Sequence, residues 1–194
     1  DEFITQHCFT GYRPIKGFNP IYSQALYMKS SFDGIAYRYA ETLLINAEAK
    51  AELNTITNAD LDRTVNQLRD RVGMPHLTVN VGFTDPKWPD WGYSLSPVLQ
   101  EIRRERCIEL AGEGFRFNDL KRWKAGKLLN NVLTYVGKRK PDGNLAIVYP
   151  NYTNPDLSYQ AGKSRTWEDK MYLYPIPTGE LQRNPQLLPQ NLGW

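Results

Sequence analysis

Residues 104–123 read R-E-R-C-I-E-L-A-G-E-G-F-R-F-N-D-L-K-R-W, and this stretch decides the fold. Its charged side chains recur every three or four residues, which is the spacing of side chains on one face of a helix. They are Glu105, Arg106, Glu109, Glu113, Arg116, Asp119 and Arg122. Large apolar residues lie between them, so the pattern predicts two helices, a glycine turn and a structural ion-pair network partly inside a core. Such a network fixes packing geometry more than it adds stability.

Paired carboxylates can also act as general acid and base, so a catalytic role for this stretch must be weighed. Nearly every carboxylate has an arginine three or four positions away, and a neighbouring arginine lowers the pKa of a carboxylate. This favours permanently ionised, structural partners, and we identify no catalytic residue. Between positions 101 and 124, seven Arg and Lys face five Asp and Glu. This balance leaves no basic stripe for nucleic acid.

The composition indicates one well-buried domain and excludes few functions. The net charge of +3 is too small to indicate a polyanionic partner. No apolar run approaches the roughly 20 residues that span a bilayer, and the opening D-E-F-I-T-Q-H-C has no signal-peptide pattern. Because the chain does not begin with Met, we expect it to be part of a longer protein. A disulfide between Cys8 and Cys107 is left open by the sequence.

Periodicity predicts helical hairpins in the middle of the chain. A stripe at residues 36, 40, 43, 44, 47 and 51 predicts a first helix. Asn58 is a plausible N-cap for a second helix, which the stripe at 61, 65, 68 and 72 continues to Gly73. Ser96 and Pro97 predict the start of a third helix that runs to about residue 111, and a fourth covers about 115–124. Two such hairpins are typical of a mainly α, tetratricopeptide-like fold.

The flanking regions have no lasting period. Residues 1–34 read as an irregular aromatic segment with a short strand around 24–28, and 35–132 as helical hairpins. Residues 133–194 read as a loop followed by an extended C-terminal closure, because prolines interrupt the sequence 172–177. If the chain is a fragment, we expect the alanine-rich seam at 36–51 to be exposed and to associate with the missing N-terminal part.

Four segments resemble the SusD/RagB family of Bacteroidetes. Residues 37–49 resemble its R-Y-A-E-x-x-L-x-x-A-E-A helix, and 65–75 are similar to V-N-x-x-R-x-R-A-G-x-P. Residues 105–123 resemble E-R-x-x-E-L-x-x-E-G-x-R-x-x-D-L-x-R-W. Residues 174–187 and 190–194 resemble the ending P-I-P-x-x-E-x-x-x-N-P-x-L…Q-N-P-G-Y, with Leu192 and Trp194 as departures. The segments follow the family's order, and the chain resembles its C-terminal part.

The resemblance implies a function as well as a fold. It implies a helical scaffold with irregular loops, which captures a glycan or a peptide at the cell surface without catalysis or cofactor. The partners would be a SusC-like TonB-dependent outer-membrane transporter and the N-terminal part of the same protein. That part would carry the lipid anchor of an outer-membrane lipoprotein. Ligand contacts in such proteins lie on loops that differ between members, so the resemblance assigns no ligand residue.

Aromatic residues on loops are the candidate ligand contacts, since rings stack on sugars and loops on a scaffold carry binding sites. The first choice is the W-P-D-W-G-Y loop, and two other aromatic loops follow. The candidates are Trp88, Trp91, Tyr93, Tyr12, Tyr22, Tyr149 and Tyr152. For each ring the alternative is packing of the loop against the helices. His7 and His76 are predicted to be solvated or locally bonded, and no cluster has metal-ligand spacing.

Two other classes of function stay open from the residues. A glycoside hydrolase needs two carboxylates about 5–10 Å apart. The loop acids that could supply them are Asp85, Asp90, Asp142, Asp156 and Asp169, and no pattern pairs them. The other alternative is a helical-repeat adaptor that binds only proteins.

Overall fold

The computed structural model describes residue 16, residue 21 and residues 35–130 and 166–194. Its helices are α1 (Tyr39–Glu52), α2 (Asn58–Asp62), α3 (Val65–Arg71), α4 (Pro97–Glu109), α5 (Phe115–Arg122) and α6 (Thr178–Arg183). Short 3-10 turns cover Gly126–Leu129, Asp169–Tyr172 and Pro185–Leu187. No strand occurs within these described ranges, which confirms the mainly α prediction. The strand predicted around 24–28 lies outside them.

The apolar stripe of α1 faces the core as predicted. Ala40, Leu43, Leu44, Ala47 and Ala51 are all buried, whereas Ala36 precedes the helix and is exposed. α1 packs most extensively against α4 and less against α3. The main helix pair therefore joins two elements that are far apart in sequence. The tetratricopeptide-like arrangement is not confirmed by this packing.

The predicted second helix is interrupted, and its N-cap is not Asn58. Thr57 caps α2 in a capping box: its side chain accepts from the backbone N–H of Asp60, and the Asp60 carboxylate accepts from that of Thr57. After Asp62 the helix breaks, because the Thr64 hydroxyl donates to the Asp60 carbonyl at 2.6 Å and Thr64 itself is not helical. Side chains that bond nearby backbone in this way compete with helix continuation.

The ends of the other predicted helices follow their local signals closely. The Ser96 hydroxyl accepts from the Leu99 N–H at 3.4 Å, and Pro97 opens α4. The chain leaves α3 through Gly73, whose φ of +69° favours glycine. Gly112 and Gly114, with φ of +80° and +85°, form the turn between α4 and α5. Because this turn begins early, α4 ends at Glu109 rather than at residue 111.

The core of the helical region lies between α1, α3 and α4. Leu44, Leu61, Val65 and Ile102 have no exposed surface, and a buried side chain of this size contributes about 1.5–3 kcal/mol. The expectation of an exposed alanine seam is wrong, because α4 covers it. Some exposed apolar residues of this region lie on α1 and next to it. They include Ile35, Tyr39, Ile45 and Leu53, which are 52–73% exposed.

The chain divides into two compact units, with residues 14–119 in one and residues 1–13 and 120–194 in the other. In the second unit, the Tyr172 hydroxyl accepts from the Gly126 N–H at 2.9 Å. A Cβ at Gly126 would overlap the Trp167 indole, so only glycine fits there. The Gln190 side chain bonds both backbone groups of Ile176 at 2.8 Å. The sequence analysis did not predict α6 in this segment. The predicted division of the chain into residues 1–34, 35–132 and 133–194 stays a prediction.

None of the helices among the described residues is both long and apolar enough to cross a membrane.

Candidate functional site

A cleft of about 260 Å³ lies between the loop before α4 and one side of α4 itself. This volume lies just below the roughly 300–1,000 Å³ of pockets for drug-sized ligands, so it suits one ring of a larger ligand. It is lined by Asp85, Lys87, Trp88, Pro89, Trp91, Gln100, Arg103, Arg104, Cys107, Ile108 and Arg116. Two of the lining residues, Trp88 and Trp91, are among the ligand contacts predicted from the sequence.

Two contacts tie the start of the loop to α4. The Asp85 carboxylate accepts from the Lys87 N–H at 2.8 Å, which closes a tight turn, and from Arg104 Nη1 at 2.9 Å. Trp88 Nε1 donates to Glu101 Oε1 at 2.8 Å, and the Phe83 ring stacks on Trp88 with a centroid distance of 5.9 Å. These contacts hold the Trp88 ring, which is only partly buried, at the edge of the cleft.

Trp91 and Tyr93 are held by the next part of α4. Trp91 is only 6% exposed, its Nε1 donates to Gln100 at 2.5 Å, and Arg103 lies 5.0 Å above its ring. Tyr93 is 43% exposed, and its hydroxyl accepts from Arg103 Nη1 at 2.8 Å. Trp91 therefore packs the loop against α4 and leaves little ring surface for a ligand. Trp88 and Tyr93 keep more of theirs.

The charged groups at the cleft are mainly basic. Arg104 is half exposed, and its nearest carboxylates are those of Asp85 at 2.9 Å and Glu101 at 3.6 Å. Lys87 is exposed on the same loop. Arg103 is buried and pairs with Glu52 at 2.7 Å. The arrangement offers ring surface together with hydrogen-bond donors, which suits binding and supplies no pair of free carboxylates for hydrolysis.

Four acids lie at four-residue intervals along α4 and the following turn. They are the predicted network members Glu105, Glu109 and Glu113, and Glu101, which was not predicted. At the inner end, Arg69 pairs with Glu105 at 2.5 Å and with Glu101 at 3.4 Å. The three side chains are at most 11% exposed. Arg69 Nη1 also donates to the Pro75 carbonyl at 3.1 Å. This buried cluster joins α3 to α4.

At the outer end, Arg38 bonds both Glu109 at 2.8 Å and Glu113 at 2.7 Å. Arg71 also pairs with Glu109, and Lys16 with Glu113, each at 2.6 Å. The hydrogen bond from Arg38 holds the pKa of Glu113 below its ordinary value, and the same bond is the main cause of the raised pKa of Arg38. The Glu113 carboxylate therefore stays ionised at neutral pH.

Arg106 and Asp119 form a separate buried pair between α4 and α5. Arg106 Nε lies 2.9 Å from one Asp119 oxygen and 3.0 Å from the other, and both side chains are at most 5% exposed. Of the other predicted network members, Arg116 lines the cleft and Arg122 lies 4.6 Å from the Trp123 ring centroid.

The sequence missed Arg38 and Arg69 as network members. Each lies more than 30 residues from its partner acid, so no helical spacing links them. The only signal was their presence in the family-like segments at 37–49 and 65–75.

The other candidates give no metal or catalytic centre. No group of His, Cys, Asp and Glu that could hold a metal occurs in the described ranges. His76 bonds Asp70 at 2.7 Å, and the Asp90 carboxylate accepts from the Gly92 N–H at 2.8 Å. Cys107 carries a free thiol. The candidates that lie outside the described residues are Tyr12, Tyr22, Tyr149, Tyr152, His7, Cys8, Asp142 and Asp156.

Comparison with known proteins agrees with the resemblance seen in the sequence. A model described as the SusD family matches residues 1–194. The SusD-like protein P2 of Formosa agariphila is 32% identical over 166 residues, which is 86% of this chain and 27% of that protein. A crystal structure of a SusD-like protein from Bacteroides fragilis has a TM-score of 0.51 and 32% identity. That match covers 81% of this chain and 25% of the other.

These matches confirm the family and the helical fold predicted from the sequence. SusD/RagB proteins are non-catalytic binding proteins and are generally associated with the outer membrane. The chain spans about a quarter of the length of the relatives that it matches.

Proposed function

Because this chain belongs to the SusD family, we propose that its protein captures a glycan at the cell surface and releases it unchanged. The ligand would pass to a SusC-like TonB-dependent transporter in the outer membrane, where the protein would be held as a lipoprotein. The family match over all 194 residues is the observation that carries this proposal. A peptide ligand is the alternative within the same family function.

The cleft beside α4 supports the ligand part of the proposal. It combines the part-buried Trp88 ring with polar side chains on a loop that α4 holds in place. Apolar ring faces and a few placed polar groups are what a sugar needs, because one face of a pyranose is apolar and its edge carries hydroxyls. The cleft holds one ring, so neighbouring sugars would lie on the surface around it.

Binding to the full-length protein tests the proposal. A panel of neutral and acidic polysaccharides is run in affinity gels, and binders are followed by calorimetry and by chromatography of the bound sugar. Saturable binding with no new product supports capture. Product formation would instead support a hydrolase, and binding to proteins alone would support an adaptor.

A variant pair links the binding to the cleft. Trp88→Ala removes the ring at its edge, and we expect the affinity for the bound glycan to fall about tenfold, since aromatic contacts dominate such sites. Tyr39→Ala is the matched control, because Tyr39 is 70% exposed on α1 and does not line the cleft. Equal affinities of the two variants would place the glycan elsewhere on the protein.

The transporter step has its own test. A TonB-dependent transporter should co-purify with the full-length protein from outer membranes. Deletion of the transporter gene should stop growth on the captured glycan. A protein that co-purifies with no transporter, from membranes in which it is abundant, would contradict this step.

A further inference from the structure

The cleft beside α4 carries more positive than negative side chains, and we propose that it takes an acidic sugar. The ligand group would be a pyranose with a carboxylate or a sulfate, set within a longer glycan chain. This inference rests on the proposed function, because it names the class of sugar bound at the same site.

The charges in the lining support an anionic ligand. Lys87, Arg103, Arg104 and Arg116 contribute cationic groups, and Asp85 contributes the one carboxylate among the residues that line the cleft. That carboxylate already accepts from Arg104 and from the Lys87 backbone. A neutral sugar needs acceptors as well as donors for its hydroxyls, whereas these side chains supply mainly donors.

Lys87 and Arg104 are the two cations placed to meet the ligand. The Lys87 side chain is exposed, and its ammonium has no hydrogen-bond partner within residues 35–130 or the other described positions. Arg104 is 49% exposed in its side chain and commits Nη1 to Asp85. A guanidinium has five N–H donors in a planar fork, so Arg104 keeps donors for a carboxylate or sulfate.

The acids next to the cleft are already paired with groups of the protein. Glu101 is 5% exposed, accepts from the Trp88 indole and lies 3.4 Å from Arg69. The Glu52 side chain is 45% exposed, and its carboxylate pairs with the buried Arg103 at 2.7 Å. Both carboxylates are therefore already bonded to groups of the protein, and among the residues that line the cleft the exposed charges are those of Lys87 and Arg104.

The rest of the lining suits the apolar side of a sugar ring. Trp88 is part-buried at the edge of the cleft, and Ile108 on α4 is 63% exposed. The volume of about 260 Å³ limits the occupant to a single ring.

The test compares matched charged and neutral polysaccharides on the full-length protein. Polygalacturonate is paired with its fully methyl-esterified form, and dextran sulfate with dextran. We expect the charged member of at least one pair to bind about tenfold more tightly than its neutral partner, with a difference that shrinks as salt is added. Which pair responds distinguishes a carboxylate from a sulfate.

Variants assign this preference to the cleft. Lys87→Gln removes an ammonium that makes no bond within the described protein, so it should leave folding intact, and Arg104→Gln removes the second cation. Each is expected to weaken binding of the preferred anionic glycan about fivefold to tenfold. Arg63→Gln is the control, because Arg63 is 74% exposed and lies outside the lining. It should leave the affinity unchanged.

Several results would overturn the inference. Equal binding of the charged and neutral polysaccharides would do so. Polyglutamate is tested in parallel as an acidic polymer without sugar, and tighter binding of polyglutamate than of every glycan would also do so. An anionic preference that survives both cleft substitutions would also do so, since it would come from another surface. Glycan capture would still stand if charged and neutral glycans bound equally, or if the anionic preference survived both substitutions. Failure to bind any glycan, charged or neutral, would contradict the proposed function as well.

Discussion

Glu101 and Glu105 lie at one end of a four-residue series, and Glu109 and Glu113 lie at the other, yet the two ends are built differently. At the inner end one buried arginine, Arg69, serves both acids. At the outer end Arg38 shares its acids with Arg71 and Lys16, whose side chains are 58% and 41% exposed. An identical spacing in sequence therefore produces a buried cluster in one place and a partly solvated one in the other.

This difference shows that burial, not spacing, sets the energetic weight of an ion pair. In the buried cluster each charge has lost its water, so removing one partner leaves an uncompensated charge. In the outer cluster water and a second cation remain for each acid. The following substitutions test that distinction, in order of expected effect.

Arg69→Met should have the largest effect. It leaves the buried Glu105 carboxylate without its cation and leaves Glu101 with only the half-exposed Arg104, 3.6 Å away. We expect the free energy of unfolding to fall by about 3–5 kcal/mol. Urea unfolding of the full-length protein measures this change. Arg63→Gln, at an exposed arginine, should change it by less than about 0.5 kcal/mol. A loss below about 1 kcal/mol for Arg69→Met would show that water reaches the inner cluster, and the comparison would fail.

Asp119→Asn should come next. The substitution keeps the shape of the side chain but leaves the buried Arg106 charge without its carboxylate. We expect a loss of about 2–3 kcal/mol, less than for Arg69→Met, because the amide oxygen still accepts a hydrogen bond. The neighbouring Asn118 is exposed, so Asn118→Ala is a matched control with little change. If Asp119→Asn were as stable as the control, water would have to reach the Arg106–Asp119 pair.

Arg38→Gln should cost less, about 1 kcal/mol, because Arg71 and Lys16 still face the two carboxylates. The loss should shrink in 1 M salt, where exposed charges are screened, whereas the loss for Arg69→Met should not. Parallel denaturation curves at low and high salt give this contrast. The same salt dependence at both positions would remove the distinction between the inner and outer ends.

The smallest expected effect concerns the ion pair of Asp60 with Lys50 at a helix cap, in which the Lys50 side chain is 40% exposed. Hydrogen bonds from Lys50 and then Thr57 lower the pKa of Asp60 from the ordinary 3.8 to about 2. A lowered pKa in the folded state stabilises above the unfolded pKa, so this contribution is present above about pH 4 and is lost as pH falls towards 2. In Lys50→Met the pKa should move back up towards its ordinary value. Titration of the Asp60 carboxyl by NMR measures this, and a native pKa near 3.8 would contradict the cap geometry.

Local signals in the sequence predicted most of the helical region. The stripe of α1 is buried as its period requires, and Ser96 with Pro97 begins α4. The break before Thr64 was missed, because a hydroxyl that bonds the preceding turn looks no different in sequence from one that faces water. The short α6 was missed as well, since prolines on both sides made the segment read as extended.

The candidate site was only partly visible in the sequence. The aromatic loop pointed to Trp88 and Trp91, and both line the cleft. Their different exposure could not be predicted, because α4 decides it: Gln100 and Arg103 cover Trp91, whereas Glu101 takes only the indole N–H of Trp88. The basic character of the mouth was likewise hidden, since Lys87 and Arg104 lie 17 positions apart.

The sequence by itself determined the helical class, most helix ends and the family, because periodicity, caps and motifs are properties of neighbouring residues. Only the tertiary structure decided which arginine serves which acid and which tryptophan keeps an open face. The ion pairs depend on contacts between segments more than 30 residues apart, such as Arg69 with Glu105 and Arg38 with Glu109. The exposure of the two tryptophans depends on how the loop packs against α4. Burial, which sets the strength of each charge pair, exists only after these segments have packed.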